Sequence, residues 1–169
     1  FRSSLPARID GFTITGSDQA GGIVVNGFAR FLEISNNLVA NNQGPSAAGI
    51  RIGHPTLDNG GESTESAFNE RVNIHNNHVA QNGGLVEPGA GIGLYTGSDA
   101  YRVTNNFVCG NFAQNDGAGI AHYGLSPGGL IADNQVVFNQ AFDQTVAAGG
   151  NGGGILIAGH EQNPGAANP

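Results

Sequence analysis

The six residues Asn37-Leu-Val-Ala-Asn-Asn42 decide the fold, because the chain repeats their pattern, Asn-x-Val-x-x-Asn, in four places. The other copies begin at Asn77, Asn106 and Asn134. A branched apolar residue stands three residues before each leading Asn, and each copy is followed further on by a small residue, Gly and Ile. A degenerate fifth copy opens the chain. A pattern that recurs in this way predicts an architecture of stacked repeats.

The repeat has a period near 28 residues. Ile92 and Ile120, which occupy the same Gly-Ile step in neighbouring repeats, are 28 residues apart. Longer intervals elsewhere indicate two loop insertions, near residues 54–70 and 140–151. Within each repeat, short runs rich in Val and Ile alternate with other residues at period two, which predicts short β-strands bounded by turns.

A repeat of this length, with three short strands and three corners, predicts one coil of a parallel β-helix. Each strand would pair with its equivalent in the next coil, about 4.8 Å away. Buried β-branched side chains would then line up along the axis. The predicted inward ladders are Ile9, Ile34, Ile74, Val103 and Ile131; Ile14, Val39, Val79, Val108 and Val136; and Ile23, Ile50, Ile92, Ile120 and Ile155.

The competing interpretation is an antiparallel sandwich built from hairpins. Val24-Val25-Asn26-Gly27-Phe28 contains the Asn-Gly step typical of a hairpin turn. Hairpins do not explain a 28-residue period with Asn held in phase, so the β-helix is the favoured prediction. Its right-handedness is expected from the general preference of parallel crossover connections.

The prediction is therefore a single all-β domain over residues 1–169, a right-handed single-stranded parallel β-helix of about five coils. The predicted coils are residues 9–33, 34–73, 74–102, 103–130 and 131–158, followed by a low-complexity tail at 159–169. The chain starts partway through a repeat, and stacked repeats need capped ends. We therefore expect it to be a segment of a larger protein.

The leading asparagines, Asn37, Asn77, Asn106 and Asn134, are predicted to occupy one corner of successive coils. Asn tolerates the left-handed backbone of a tight corner, and its amide can hydrogen bond to the same amide one coil away. This Asn-ladder pattern resembles the right-handed parallel β-helix of the pectate-lyase-like superfamily, over about Ile9 to Ile157.

The resemblance implies several activities and does not choose among them. It is consistent with pectate lyases, polygalacturonases, alginate-type epimerases and lyases, and phage tailspike glycosidases. It also implies adhesins and surface proteins that carry out no catalysis. Because a shared fold does not determine function, the side chains must discriminate.

Composition argues against several classes of function. The net charge is −7, with six Arg and no Lys, so no nucleic-acid-binding patch is predicted. The longest apolar runs are far too short to span a membrane. A single cysteine, Cys109, excludes an internal disulfide. No metal or cofactor is predicted; calcium is the one cation considered, and the acidic stretch from Asp58 to Glu62 matches no established calcium loop.

The strongest candidate site in the sequence is aromatic. Tyr95 and Tyr123 are 28 residues apart, at the same phase past the Gly-Ile strand, and should point outward on adjacent coils. Arg51 and His54 lie one coil earlier, and His122 directly precedes Tyr123. Tyr, His and Arg on one face suit sugar stacking and carboxylate binding. The alternative is that the stacked rings only pack on each other.

Three observations count against catalysis. His122 has the phase of Ile52 and Leu94, which are predicted to point inward, and this favours a partly buried, hydrogen-bonded histidine. Arg51 has no Asp beside it on adjacent coils, as a calcium-assisted lyase would need. The aspartates fall at different phases, so two facing carboxylates at catalytic separation cannot be identified.

The sequence therefore predicts a secreted or cell-surface module, a scaffold or a binding surface for polysaccharide or a neighbouring protein domain. The alternative is a carbohydrate-active enzyme, namely a polysaccharide lyase, epimerase or glycoside hydrolase, using Tyr95, Tyr123, His54 and Arg51. A third hypothesis is purely structural, a repeat stalk or filament subunit.

Overall fold

A computed structural model of the chain describes residues 6–53, 66–86, 88–142 and 150–159. Within these ranges the protein is all-β, with nineteen strands and no helix. The strands, in chain order, are β1 (Arg8–Asp10), β2 (Thr13–Thr15), β3 (Ile23–Val25), β4 (Glu33–Ser35), β5 (Leu38–Ala40), β6 (Gln43–Gly44), β7 (Ile50–Ile52), β8 (Asn73–His75), β9 (His78–Ala80), β10 (Gly83–Gly84), β11 (Ile92–Tyr95), β12 (Arg102–Thr104), β13 (Phe107–Cys109), β14 (Phe112–Ala113), β15 (Ile120–Tyr123), β16 (Leu130–Ala132), β17 (Gln135–Val137), β18 (Gln140–Ala141) and β19 (Ile155–Ala158).

These strands form four sheets. Sheet 1 has the order β1-β4-β8-β12-β16, sheet 2 the order β2-β5-β9-β13-β17, sheet 3 the order β6-β10-β14-β18, and sheet 4 the order β3-β7-β11-β15-β19. Every pairing in them is parallel. The described residues are thus compatible with a β-solenoid. The hairpin interpretation is wrong, because β3, which precedes the Asn-Gly step, pairs in parallel with β7.

The registers confirm all three predicted apolar ladders. In sheet 1, Ile34 pairs with Ile9 on one side and Ile74 on the other. The second ladder runs through sheet 2 and the third through sheet 4 in the same way. Their central members are fully buried and form one core cluster. Burial of each such side chain stabilises the fold by about 1.5–3 kcal/mol before chain entropy is subtracted.

Sheet 3 is a feature that the sequence interpretation missed, since it predicted three strands per repeat. Its strands have only two residues each, too few to show alternation. Gly83 in β10 is pressed against the ring of Phe112 in β14, where a Cβ atom would lie 2.5 Å from Cζ. This small residue therefore allows the aromatic ring to cover the neighbouring repeat.

The asparagine ladder is present, and a second one accompanies it. Asn77 donates from its backbone N and from Nδ2 to Oδ1 of Asn106, at 3.0 Å each. The second Asn of each motif does the same: Nδ2 of Asn82 donates to Oδ1 of Asn111 at 2.9 Å. The members of this second ladder are Asn42, Asn82, Asn111 and Asn139.

The left-handed corner position is not where the sequence interpretation placed it. The residue before each leading ladder Asn has a φ of 55° in all four motif repeats. These residues are Asn36, Asn76, Asn105 and Asp133. Two adjacent residues therefore have separate roles. The first adopts the left-handed backbone conformation, and the side chain of the second makes the hydrogen bonds between repeats.

The two predicted insertions fall largely outside the described residues. Residues 54–65 and 143–149 are not described, nor is the tail from residue 160 onward. Gln140 and Ala141, placed in the second insertion by the sequence interpretation, form β18. The coil boundaries stay a prediction.

Candidate functional site

Tyr95 and Tyr123 pair as predicted but differ in exposure. They are register partners in β11 and β15, with ring centroids 6.5 Å apart at an interplanar angle of 68°. Tyr95 is only 1% exposed, and its hydroxyl donates to the carbonyl oxygen of Pro88. Tyr123 is half-buried. The exposure that sugar stacking requires is therefore lacking at Tyr95, and a role for Tyr123 stays a prediction.

His122 is held by two hydrogen bonds. Its Nε2 lies 3.0 Å from the carbonyl oxygen of Gly124, and its Nδ1 lies 2.8 Å from the hydroxyl of Tyr101. A carbonyl only accepts, so Nε2 carries the proton and, in the neutral ring, Nδ1 accepts from Tyr101. Burial raises the pKa of Tyr101 to about 12. His122 is half-buried and in register with Leu94 and Ile157, so its position and its two hydrogen bonds agree with the predicted partly buried, hydrogen-bonded histidine.

Arg51, another member of the predicted set, is buried rather than exposed beside the tyrosines. Arg51 lies in β7, in register with Val24 and Gly93, and is buried. Burial lowers its pKa, partly offset by the nearby Tyr95. His54 lies outside the described residues. Tyr95 and Arg51 are thus covered, and the predicted set as a whole stays a prediction.

A different group of side chains is exposed between sheet 4 and sheet 1, and we name it the aromatic corner: Phe28, Phe31, Phe68 and Arg71. Phe28 stacks on Phe68 with ring centroids 5.5 Å apart and an interplanar angle of 17°. Phe28 is 80% exposed and Phe68 is 43% exposed. The guanidinium carbon of Arg71 lies 5.4 Å from the centroid of the Phe31 ring. The corner thus presents rings and one cation to solvent.

All four residues of the aromatic corner have a left-handed backbone. Their φ angles lie between 53° and 59°. This conformation is uncommon for bulky side chains and is held only where its surroundings enforce it. Inter-repeat hydrogen bonds do so here: Phe28 N donates to Ala67 O at 2.8 Å, and Phe31 N donates to Glu70 O at 2.9 Å. Hydrogen bonds between repeats therefore fix the backbone that presents these side chains.

Sheet 1, which comes next along the chain, carries a group of charged side chains. We name this group the charged face: Arg8, Asp10, Glu33 and His75. Glu33 accepts from Arg8 through a fork, Nε to Oε2 at 3.1 Å and Nη2 to Oε1 at 2.9 Å. His75 Nε2 lies 2.8 Å from Glu33 Oε1. The pKa of Glu33 is lowered, first by the hydrogen bond from Arg8 and then by that from His75.

Asp10 is the second carboxylate of the charged face. It accepts from Ser35 Oγ at 2.6 Å and from Asn36 Nδ2 at 2.8 Å. These two hydrogen bonds, in that order, lower its pKa. Both carboxylates therefore stay ionised at neutral pH, as acceptors for hydroxyl groups or cations.

A second ion pair borders the aromatic corner. Arg30 Nη2 lies 3.2 Å from Glu70 Oε1. Burial raises the pKa of Asp99, and the negative charge of Glu70 adds to the effect. Charges of both signs therefore surround the exposed rings, although the chain as a whole is acidic.

The aromatic corner and the charged face are adjacent along two consecutive repeats. Phe31 precedes Glu33 by two residues, and Arg71 precedes Asn73 by two. Neither group was predicted from the sequence, although a signal was present: Phe28 and Phe68 share the 40-residue offset that separates Asn37 from Asn77. The long insertion between these repeats hid the correspondence.

Comparison with known proteins supplies no identity: no protein-family model, curated protein or solved structure matches the chain. Among the described residues, no group of three or more His, Cys, Asp or Glu side chains is arranged to hold a metal ion. The same ranges contain no helix with the length and apolarity needed to cross a bilayer.

Proposed function

We propose that this chain is a right-handed parallel β-helix module, secreted or displayed at a cell surface, that binds glycan without catalysis. The aromatic corner and the charged face form its binding surface. The observation that carries the proposal is the Phe28–Phe68 stack, which is exposed although two large apolar rings would ordinarily be buried.

The chemistry of the surface fits a sugar chain. Aromatic rings bury the apolar C–H faces of pyranose rings, and flat, rigid rings lose little entropy on binding. A left-handed backbone at a bulky residue costs on the order of 1–3 kcal/mol, so holding these rings outward opposes stability. The neighbouring carboxylates of Asp10 and Glu33, together with Arg8, supply hydrogen bonds for the hydroxyl groups of the bound sugar chain.

The test is affinity electrophoresis through gels that contain acidic or neutral polysaccharides. The variant is Phe28→Asn/Phe68→Asn, because Asn removes the rings yet tolerates the left-handed backbone. We expect the wild-type protein to be retarded on at least one polymer and the variant to lose that retardation. The matched control is Phe138→Asn. Phe138 is likewise exposed, at 88%, and has a φ of 55°, but it follows β17 of sheet 2 and so lies at a different corner.

Retardation that persists in the double variant, or that is lost equally in the Phe138 control, contradicts the proposal. The first result would move binding away from the aromatic corner. The second would show that any exposed ring contributes equally. No retardation on any polymer would favour the scaffold or stalk hypothesis.

The second candidate function is a carbohydrate-active enzyme, and one observation favours it. His75 donates from Nε2 to Glu33, so in the neutral ring Nδ1 is the nitrogen that can accept a proton as a general base does. Shortened polymer in the same gels, abolished by His75→Gln and unchanged by His78→Gln, would support an enzyme. Polymers of unchanged length across the panel would contradict the enzyme candidate and favour binding without catalysis.

A further inference from the structure

Arg51 is a buried cation whose charge no described residue balances. The residue is 7% exposed, and its Nε has no hydrogen-bond partner. The ion pairs among the described residues are Arg8 with Glu33, Arg30 with Glu70, and His75 with Glu33, and none includes Arg51. An arginine does not escape the cost of burial by losing its proton. Burial of an unpaired charge is strongly unfavourable unless an opposite charge joins it.

The same chain shows how an arginine of this kind is satisfied. Arg8 grips the carboxylate of Glu33 with Nε and Nη2, a side-on fork that matches the two oxygens. The edge of Arg51 that corresponds to this fork contains the unpartnered Nε. Its neighbours in register, Val24 and Gly93, offer no acceptor side chain.

The surroundings of Arg51 select the kind of anion. A Cβ atom on Gly93 would lie 2.5 Å from Ala47 Cβ, 3.1 Å from Cε2 of Tyr95 and 3.3 Å from its Oη, so a methyl group and a phenol ring lie over this strand. A site with so few polar groups admits one negative charge at lower desolvation cost than two. A planar carboxylate therefore fits better than a phosphate dianion.

We propose that Arg51 anchors a binding site for a carboxylate, held side-on by Nε and a terminal guanidinium nitrogen on the outer side of sheet 4. Charge-assisted hydrogen bonds are strong in such a low-dielectric position. The site uses residues other than the aromatic corner and the charged face. Carboxylate binding at Arg51 can therefore be tested independently of the proposed glycan binding.

The test follows the Nε–H resonance of Arg51 by nuclear magnetic resonance in protein labelled with ¹⁵N-arginine. The probe is glucuronate, glucose is its neutral counterpart, and sodium chloride holds the ionic strength constant. We expect a saturable shift of the Arg51 resonance with glucuronate alone. Arg51→Lys retains the charge but not the fork, and it should bind glucuronate at least about tenfold more weakly. Arg102→Gln, which removes an exposed arginine of sheet 1, should bind as the wild type does.

Three results would overturn this proposal. Glucose could shift the Arg51 resonance as strongly as glucuronate does, or only the resonances of exposed arginines could move. In the third, Asp58→Asn/Glu62→Gln/Glu65→Gln would displace the Arg51 resonance without ligand, showing that a carboxylate of the chain occupies the fork. These three acidic residues lie outside the described residues. The wild-type titration decides the question even if Arg51→Lys does not fold. The Nε–H resonance of Arg51 can be assigned without the variant, by through-bond correlation with the backbone resonances of the same residue.

Discussion

At the scale of the residue, asparagine side chains join neighbouring repeats by hydrogen bonds at the corners, in addition to the backbone hydrogen bonds between strands. Nδ2 of Asn77 donates to Ile34 O at 2.9 Å and to Asn106 Oδ1 at 3.0 Å, so one side chain connects three repeats. Its own Oδ1 accepts from the backbone N and Nδ2 of Asn37. Buried polar groups at the corner are thereby satisfied without water.

Asn77→Ala should destabilise the protein by at least about 2 kcal/mol, because it leaves the buried N–H of Asn37 without its acceptor and removes the Nδ2 donor to Ile34 O and Asn106 Oδ1. Chemical denaturation measures the change. Asn73→Ala, at a half-buried position of β8, is the control and should cost much less. Equal losses in the two variants would contradict a special role for the ladder.

Tyr101 predicts a pH dependence with a definite sign. Its folded pKa, about 12, lies above the ordinary value of 10.0, because burial disfavours the phenolate. Its contribution to stability is therefore complete below pH 10 and is lost as the pH rises towards 12. Tyr101→Phe should show a smaller decline between pH 10 and 12 in urea denaturation. An unchanged decline in the variant would assign the pH dependence to other groups.

At the scale of the element, the Gly-Ile step has a steric cause. A Cβ atom on Gly91 would lie 2.5 Å from the carbonyl oxygen of Gly119 in the next repeat. It would also lie 3.0 Å from Nδ2 of Asn111 in the second ladder. The glycine therefore lets neighbouring strands of sheet 4 meet beside the Asn ladder.

Gly91→Ala should cost about 1–3 kcal/mol through this collision. Gly154→Ala is the matched control, since Gly154 holds the same phase in the last repeat and, among the described residues, its added Cβ would lie closest to Val136 Cγ1, at 3.9 Å. The control should change the free energy of unfolding by no more than about 1 kcal/mol in either direction. Thermal or urea unfolding of the two variants tests the difference, and equal effects would rule out the collision as the cause.

At the scale of the whole molecule, the described strands of each repeat pair with the equivalent strands of the neighbouring repeats. Stability in such a stack is approximately a sum of repeat and interface terms. Among the described strands, the outermost ones of sheets 1, 2 and 4 have a partner on one side. The molecule should therefore open from its outer repeats inward.

Hydrogen exchange should accordingly be slowest for backbone amides in β8, β9 and β11 and fastest in β1, β2, β16 and β17. The measurement is native-state exchange followed residue by residue. Uniform protection across all repeats would contradict this gradient and indicate that the described residues unfold as one cooperative unit.

Pattern alone was enough to predict the repeat, the parallel pairing and the three apolar ladders, because these depend on periodicity along the chain. Ile34 had to meet Ile74 once equivalent strands were stacked. The tertiary structure decided what lies outside the ladders. Tyr95 shares its phase with Tyr123 yet is covered, whereas Phe28 and Phe68 stand exposed on a left-handed backbone. Exposure and pairing at the corners depend on contacts between repeats, which a local pattern does not encode.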